Sequence, residues 1–211
     1  MEKCLLSIDW DYFVYTKENG AYLENSRSLV DLWYKRFLLA KARGEDIQNA
    51  YRLSSELDTF WANIRKHFSF AEGVRAFLSD SHALSYDIAR ETGCTAVYLF
   101  DAHADLGYGG PAALQFEVNC SNWLGKLLQE NHITEAHIFY SPYTLEKPEH
   151  FGFITGKYSI RFRTLSDFAE QTETVAVFAV HICRSGAWTP PWLDDRFYSF
   201  ADGLGIPYET V

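Results

Sequence analysis

The stretch Asp101-Ala102-His103-Ala104-Asp105 constrains this chain more than any other. It closes an apolar, β-prone run at 96–100 and opens a glycine-rich segment, Gly107-Tyr108-Gly109-Gly110. The run reads as a buried strand. Three metal-competent side chains then sit on alternate residues at its carboxyl end. In extended geometry alternate side chains point the same way, so the three are expected to converge. Like charges converging beside a buried strand are costly without a counter-charge, and a divalent cation is the simplest one.

Two further runs end in the same manner. Residues 4–8 are apolar and lead into Asp9-Trp10-Asp11. Turn preference alone would make these two acids ordinary turn residues; beside residues 101–105 they read as ligands. The run at 74–78 leads into Ser79-Asp80-Ser81-His82. Consecutive strands are often neighbours in α/β folds, so this strand is expected to lie beside the one carrying Asp101, which makes His82 a candidate as well.

Between these runs the chain turns helical. Leu29, Leu32, Trp33, Phe37 and Leu38 recur at helical spacing, with Ser26 or Ser28 as the cap. After Arg43-Gly44-Glu45-Asp46, a second helical pattern over 47–68 carries Tyr51, Leu53, Leu57, Phe60, Trp61 and Ile64. The expectation is a helical hairpin insertion at about 24–68, laid over the sheet. Further helices are expected at 83–92, 123–130 and 196–204, and further strands at 135–140 and 175–183. Such alternation predicts a three-layer αβα domain over 1–211 with a mainly parallel sheet. Ligands of open α/β sheets gather at the carboxyl ends of strands, where all three clusters lie.

Composition narrows the partners. A chain of 211 residues with 47% hydrophobic content suits one domain with a substantial core. A net charge of -9 argues against nucleic acid and favours, weakly, a cationic substrate. Cys4, Cys94, Cys120 and Cys183 show no paired spacing, polar residues interrupt the first eleven positions, and no apolar run spans a bilayer. A cytoplasmic protein with no membrane partner is expected. A homo-oligomer is left open.

Asp9, Asp11, His82, Asp101, His103 and Asp105 are more ligands than one catalytic zinc uses. Shared out with bridging carboxylates, they suit two cations at roughly 3.5–4 Å. Oxygen-rich ligation with some imidazole favours Mn²⁺, two per chain. Two such cations lower the pKa of a shared water toward neutrality and so supply a nucleophile.

At these residues the sequence resembles the arginase/deacetylase superfamily. The family's Asp-x-His-x-Asp, Ser-x-Asp-x-Asp and Gly-Gly-Asp-His-like motifs correspond to Asp101–Asp105, Ser7-Ile8-Asp9-Trp10-Asp11 and Ser79-Asp80-Ser81-His82. The glycines of the last motif are absent. The Ser-x-Asp-x-Asp strand comes first rather than second, which implies a circularly permuted arginase-like fold. Carried over, Asp101 and Asp9 bridge the metals, His82 and Asp105 complete one position, and His103 and Asp11 the other. Small size makes the peptide arginases of bacterial ribosomal-peptide pathways the most similar branch. They convert arginine side chains of a precursor peptide to ornithine and release urea.

The resemblance also implies a carboxylate that holds the guanidinium by paired hydrogen bonds; Asp194 and Glu117 are the candidates. Asn119 and Asn122 follow the metal motif at a spacing similar to the family's substrate-contacting loop. The proton-shuttle histidine of that loop has no counterpart, which leaves His181 as the candidate for that role. Trp10, Tyr108, Trp188 and Trp192 are available to line a cleft, although core packing is the ordinary role of most aromatic residues. Two rival readings remain: a zinc-dependent deacetylase of lysine or polyamine substrates, and a non-catalytic peptide-binding module.

Overall fold

Short apolar runs separated by helices and turns come together in one parallel sheet. The computed structural model describes residues 3–16, 28–170 and 174–211. Its strands are β1 (Cys4–Asp9), β2 (Val14–Thr16), β3 (Tyr51–Leu53), β4 (Phe68–Ser79), β5 (Ala96–Asp101), β6 (Glu135–Tyr140), β7 (Ser159–Arg163), β8 (Val175–Cys183) and β9 (Tyr208–Thr210). Seven form a sheet in the order β7-β6-β5-β1-β8-β4-β9, every neighbouring pair parallel. β2 and β3 make a separate antiparallel pair. The helices are α1 (Leu29–Ala42), α2 (Phe60–His67), α3 (Leu84–Thr92), α4 (Trp123–Gln129), α5 (Gly152–Thr155) and α6 (Asp194–Asp202).

Strand alternation sorts the core into two layers. Leu6 and Ile8 of β1 and Tyr98 and Phe100 of β5 pack with Trp33 of α1, Phe60 of α2 and Phe197 of α6. Leu5 of β1 and Val97 and Leu99 of β5 pack with Ile88 of α3, Leu127 of α4 and Ile154 of α5. This is the expected three-layer αβα arrangement. Each of these fully buried large aliphatic side chains contributes about 1.5–3 kcal/mol. Among the described residues no helix is long and apolar enough to cross a membrane. None of the four cysteines is in a disulfide.

The helical hairpin expected at 24–68 is replaced by something more broken. α1 and α2 exist, but between them lie two 3-10 turns and β3. Asp46 accepts a hydrogen bond from Gln48 N, and Ser54 accepts one from Glu56 N. These local bonds compete with helix continuation. They leave Tyr51–Leu53 to pair with Val14–Thr16 instead. Phe37 and Leu38, part of the apolar stripe of the hairpin expected to lie over the sheet, are 42% and 46% exposed. Ser28 occupies the cap position of α1 without a side-chain cap bond; Ser26 and the start of the expected insertion lie outside the described residues.

The expected side-by-side placement of β4 and β5 also fails: β8 and β1 lie between them. His82 still reaches the strand carrying Asp101, because it stands in the turn beyond β4 at the carboxyl edge of the sheet. β7 and β9 were not anticipated. β7 is an edge strand whose sequence alternates Arg with apolar residues, and β9 has only three residues.

Candidate metal centre

β1 and β5 lie side by side with Ile8 opposite Phe100, so the residues that follow, Asp9 and Asp101, leave the sheet at one level. Both share strand parity with Leu5 and Leu99, and so belong to the face covered by α3 and α4. Each then folds its own chain back. Asp9 Oδ1 accepts from Asp11 N at 3.0 Å, and Asp101 Oδ1 accepts from His103 N at 2.8 Å. These are turns closed by an aspartate side chain. The convergence expected from extended geometry is therefore real, but its cause is different: the turn, not the pleat, returns the second side chain to the first. Asp105 has a backbone φ of 51°, in the left-handed region that Asp tolerates better than most residues.

The six expected ligands meet. His82 Nδ1 lies 3.3 Å from Asp9 Oδ2, 3.0 Å from Asp101 Oδ2 and 3.0 Å from Asp105 Oδ2. His103 Nδ1 lies 2.9 Å from Asp11 Oδ2 and 3.4 Å from Asp101 Oδ1. Two ligand groups result, Asp9/His82/Asp101 and Asp11/Asp101/His103, each with its atoms within 4.8 Å of one another. Asp101 belongs to both. Asp9, expected to bridge as well, belongs to the group of His82 and Asp101 but not to that of His103, and Asp105 stands on the His82 side.

The electrostatics fit a cation. Burial pushes the Asp101 carboxyl well above its ordinary range, and the charges of Asp11, Asp105 and Asp9 push it further. Burial and the charge of Asp11 also raise Asp9. For Asp11, burial raises the pKa, but the charge of His103 and its hydrogen bonds outweigh this and hold it below its usual value. Desolvation opposes the charged form of both histidines, yet the surrounding carboxylates hold His82 and His103 well above the ordinary imidazole value. Two carboxylates about 4 Å apart repel by about 4 kcal/mol at an effective dielectric of about 20. Asp101 Oδ2 is buried and accepts no hydrogen bond among the described residues. A carboxylate oxygen left in this state, facing an imidazole nitrogen within an acidic cluster, suits a metal ion. These buried Asp and His groups can hold one.

The remaining candidates fall elsewhere. His181, expected as a proton shuttle, is fully buried, with Nε2 on Ser79 Oγ and Nδ1 on Ser85 Oγ. It has no open path to a substrate, because burial in strand β8 encloses it. Asp194, a candidate for holding guanidinium, already holds one of the chain's own: Arg184 Nε and Nη2 donate to its two oxygens at 2.9 and 3.0 Å. The Asn122 amide is spent on the loop, accepting from Asn119 N and donating to Ala113 O and Glu117 O. Asn119 accepts from Ser121 N and donates to Glu117 O. Asn119 and Asn122 nevertheless line a cavity of about 330 Å³ with Tyr108 and Phe116. Glu117 is exposed, and its backbone rather than its carboxylate serves the loop.

Several supporting residues carry no sequence signal. Trp123 Nε1 donates to Asp105 Oδ2 at 2.6 Å. Ser185, at φ 49°, donates its hydroxyl to Asp9 Oδ2. Glu146 accepts from Ala104 N at 2.9 Å and from the Tyr108 hydroxyl at 2.5 Å. Its position past the carboxyl end of β6, next to β5, is the one sequence-accessible hint. Of the four aromatic candidates, Trp10 is core and Trp192 packs on Trp33 and Tyr51. Trp188 faces His103 with ring centres 6.3 Å apart, and Tyr108 is 42% exposed.

No known protein family, curated protein or solved structure matches this chain.

Proposed function

We propose that this chain is a manganese-dependent hydrolase that converts arginine side chains of a peptide to ornithine and urea. The observation that supports it best is the sharing of Asp101 between two ligand groups, a donor set suited to a pair of cations. Asp9, His82 and Asp105 would hold one with Asp101, and Asp11 and His103 the other. Cations held there would supply water activated near neutral pH and offset negative charge developing beside it.

The chain's own groups supply the rest. Glu146 is a partly buried carboxylate held within the influence of His103 and Asp105. Oε2 already accepts from Ala104 N and the Tyr140 hydroxyl, whereas Oε1 accepts only from Tyr108, so Glu146 keeps an acceptor site on Oε1 for a guanidinium N–H group. The Trp188 ring stands edge-on beside His103, and aromatic rings can stack on a planar cation. Water adds to the guanidinium carbon, the bond from that carbon to the side-chain nitrogen breaks, and that nitrogen takes a proton and stays on the peptide as the ornithine amine. A cavity of about 330 Å³ lies beside Tyr108, whose hydroxyl is bonded to Glu146, and supports a substrate larger than a free amino acid. The absence of disulfides suits a reducing, cytoplasmic setting.

The test is urea release. Chain loaded with Mn²⁺ is incubated with an arginine-containing peptide, and the peptide is examined by mass spectrometry for conversion of arginine to ornithine. Fully metal-loaded protein that releases no urea from any of a panel of arginine peptides would overturn the reading.

A further inference from the structure

Behind the carboxylate cluster runs a single file of buried hydrogen bonds. His82 Nε2 lies 2.8 Å from Ser7 Oγ, and Ser7 Oγ lies 2.8 Å from Ser85 Oγ. Ser85 Oγ lies 2.6 Å from His181 Nδ1, and His181 Nε2 lies 2.7 Å from Ser79 Oγ. Ser79 Oγ donates to the carbonyl of Ser81 at 2.9 Å. Ser7, Ser85 and His181 are fully buried, and Ser79 is 5% exposed. The side chains of Ser7, Ser85, His181 and Ser79 make no other hydrogen bond among the described residues.

Such a chain has a direction, and its far end fixes it. A carbonyl can only accept, so the single Ser79 proton is committed to Ser81. Ser79 must then accept from His181, which places a proton on His181 Nε2. His181 is fully buried and its two ring nitrogens meet serine hydroxyls, with no carboxylate among the described residues beside them to balance a charge, so the ring is neutral and Nδ1 is an acceptor. Ser85 therefore donates to His181 and accepts from Ser7. Ser7 in turn accepts from His82. The proton of His82 is thereby kept on Nε2, and its Nδ1 faces Asp9, Asp101 and Asp105.

We propose that His181 is a positioning residue, acting through Ser85 and Ser7 to hold His82 in the tautomer whose Nδ1 lone pair is offered to the metal. Its place in the strand interior then has a function that needs no contact with substrate. Outer-shell partners of metal-binding histidines fix tautomer and ring orientation in this way. The inference rests on the metal centre and is independent of the guanidinium chemistry.

Zinc, which is diamagnetic, makes the relay readable by NMR of the full chain labelled with ¹⁵N at histidine. In the zinc-loaded protein, His82 is expected with its proton on Nε2 and metal on Nδ1, and His181 as a neutral ring protonated on Nε2. Ser85→Ala should weaken zinc binding about 10- to 100-fold, while Ser85→Thr, which keeps the hydroxyl, should restore much of the loss. A His82 proton on Nδ1, a charged His181, or unchanged zinc affinity in folded Ser85→Ala would overturn the relay alone. Failure of zinc and manganese to bind the unaltered chain would instead overturn the metal centre. The wild-type NMR experiment decides the question even where the alanine variant does not fold.

Discussion

The indole N–H of Trp123 is bonded to Asp105 Oδ2 at 2.6 Å, and so joins the first residue of α4 to the last acid of the metal motif. Asp105 stands at a positive φ and has no strand to hold it. The buried indole supplies what the backbone does not: a fixed donor on the same carboxylate oxygen that lies 3.0 Å from His82 Nδ1.

Replacing Trp123 by Phe keeps most of the apolar volume and removes that donor. The expected result is metal affinity lower by about tenfold or more, with a stability loss of about 1–3 kcal/mol from the missing hydrogen bond to a charged group. Metal titration by calorimetry and chemical denaturation of the same sample separate the two effects. Unchanged metal affinity would show that Asp105 is placed by something other than Trp123.

Asp101 is the only side chain in both ligand groups, so its loss should differ in kind from that of Asp105. Asp101→Asn is expected to bind neither cation and to release no urea. Asp105→Asn should weaken one cation more than the other. Metal content per chain, measured by elemental analysis after dialysis, checks this. Two cations retained in Asp101→Asn would remove the shared-ligand assignment.

Much of this centre was legible in the sequence, and the reason is local. Each Asp-x-Asp or Asp-x-His pair is its own turn, closed by a bond from the second residue's N–H to the first aspartate, so spacing alone fixes the geometry. The strands that deliver the pairs are short and fully buried, and β6 and β8 were anticipated with the bounds they have. Glu146, Ser185 and Trp123 were not legible, because each reaches the centre across a tertiary contact that no nearby pattern encodes. Residues 47–59 misled for a different, local reason. Their apolar spacing satisfies a helical period, but Asp46 and Ser54 close turns that break the helix.

Glu146→Gln tests the substrate-facing side of the reading. Burial raises this carboxyl, and the hydrogen bond from Tyr108 partly offsets the rise. Gln keeps the shape and the acceptor for Ala104 N but removes the charge. KM for an arginine peptide is expected to rise about 10- to 100-fold, the worth of a charge-assisted hydrogen bond, with two cations still bound. A kcat lowered with KM unchanged would place Glu146 in the reaction step rather than in substrate binding.

Stability of the metal-free chain should depend on pH in a definite direction. Burial opposes charge on His82 and His103, but Asp101, Asp105 and Asp9 around the first, and Asp11 and Asp101 around the second, hold both well above the ordinary value. The folded chain thus keeps protons that the unfolded chain releases near pH 6.5. That contribution is complete below about 6.5 and is lost as pH rises through the higher folded values. Asp9 and Asp101, raised mainly by burial, act in the same sense from about pH 3.9 upward. Asp11, held low, opposes them only in acid. The melting temperature of chelator-treated protein is therefore expected to fall as pH rises above about 6.5. Added Mn²⁺ should reverse the trend, since the cation replaces the protons and binds better as they leave. A metal-free melting temperature that rises over this range would contradict the arrangement of charges.

Gly125 offers the last test, because it isolates backbone placement from ligand chemistry. It lies inside α4, where alanine ordinarily improves a helix by about 1 kcal/mol. Here a Cβ would stand 2.5 Å from the carbonyl oxygen of Leu106 and 2.8 Å from its carbonyl carbon. The Gly125 N–H also donates to the carbonyl of Asp105 at 3.1 Å. The helix thus packs directly on the backbone that presents the last ligand, and that backbone must move if a methyl group enters. The clash outweighs the propensity gain, so Gly125→Ala should lose about 1–3 kcal/mol of stability. Its metal affinity should fall as well, although no ligand, and no side chain touching one, has been changed. Denaturation and zinc titration of the variant measure both, and a more stable Gly125→Ala with unaltered zinc affinity would mean that α4 does not set the position of Asp105.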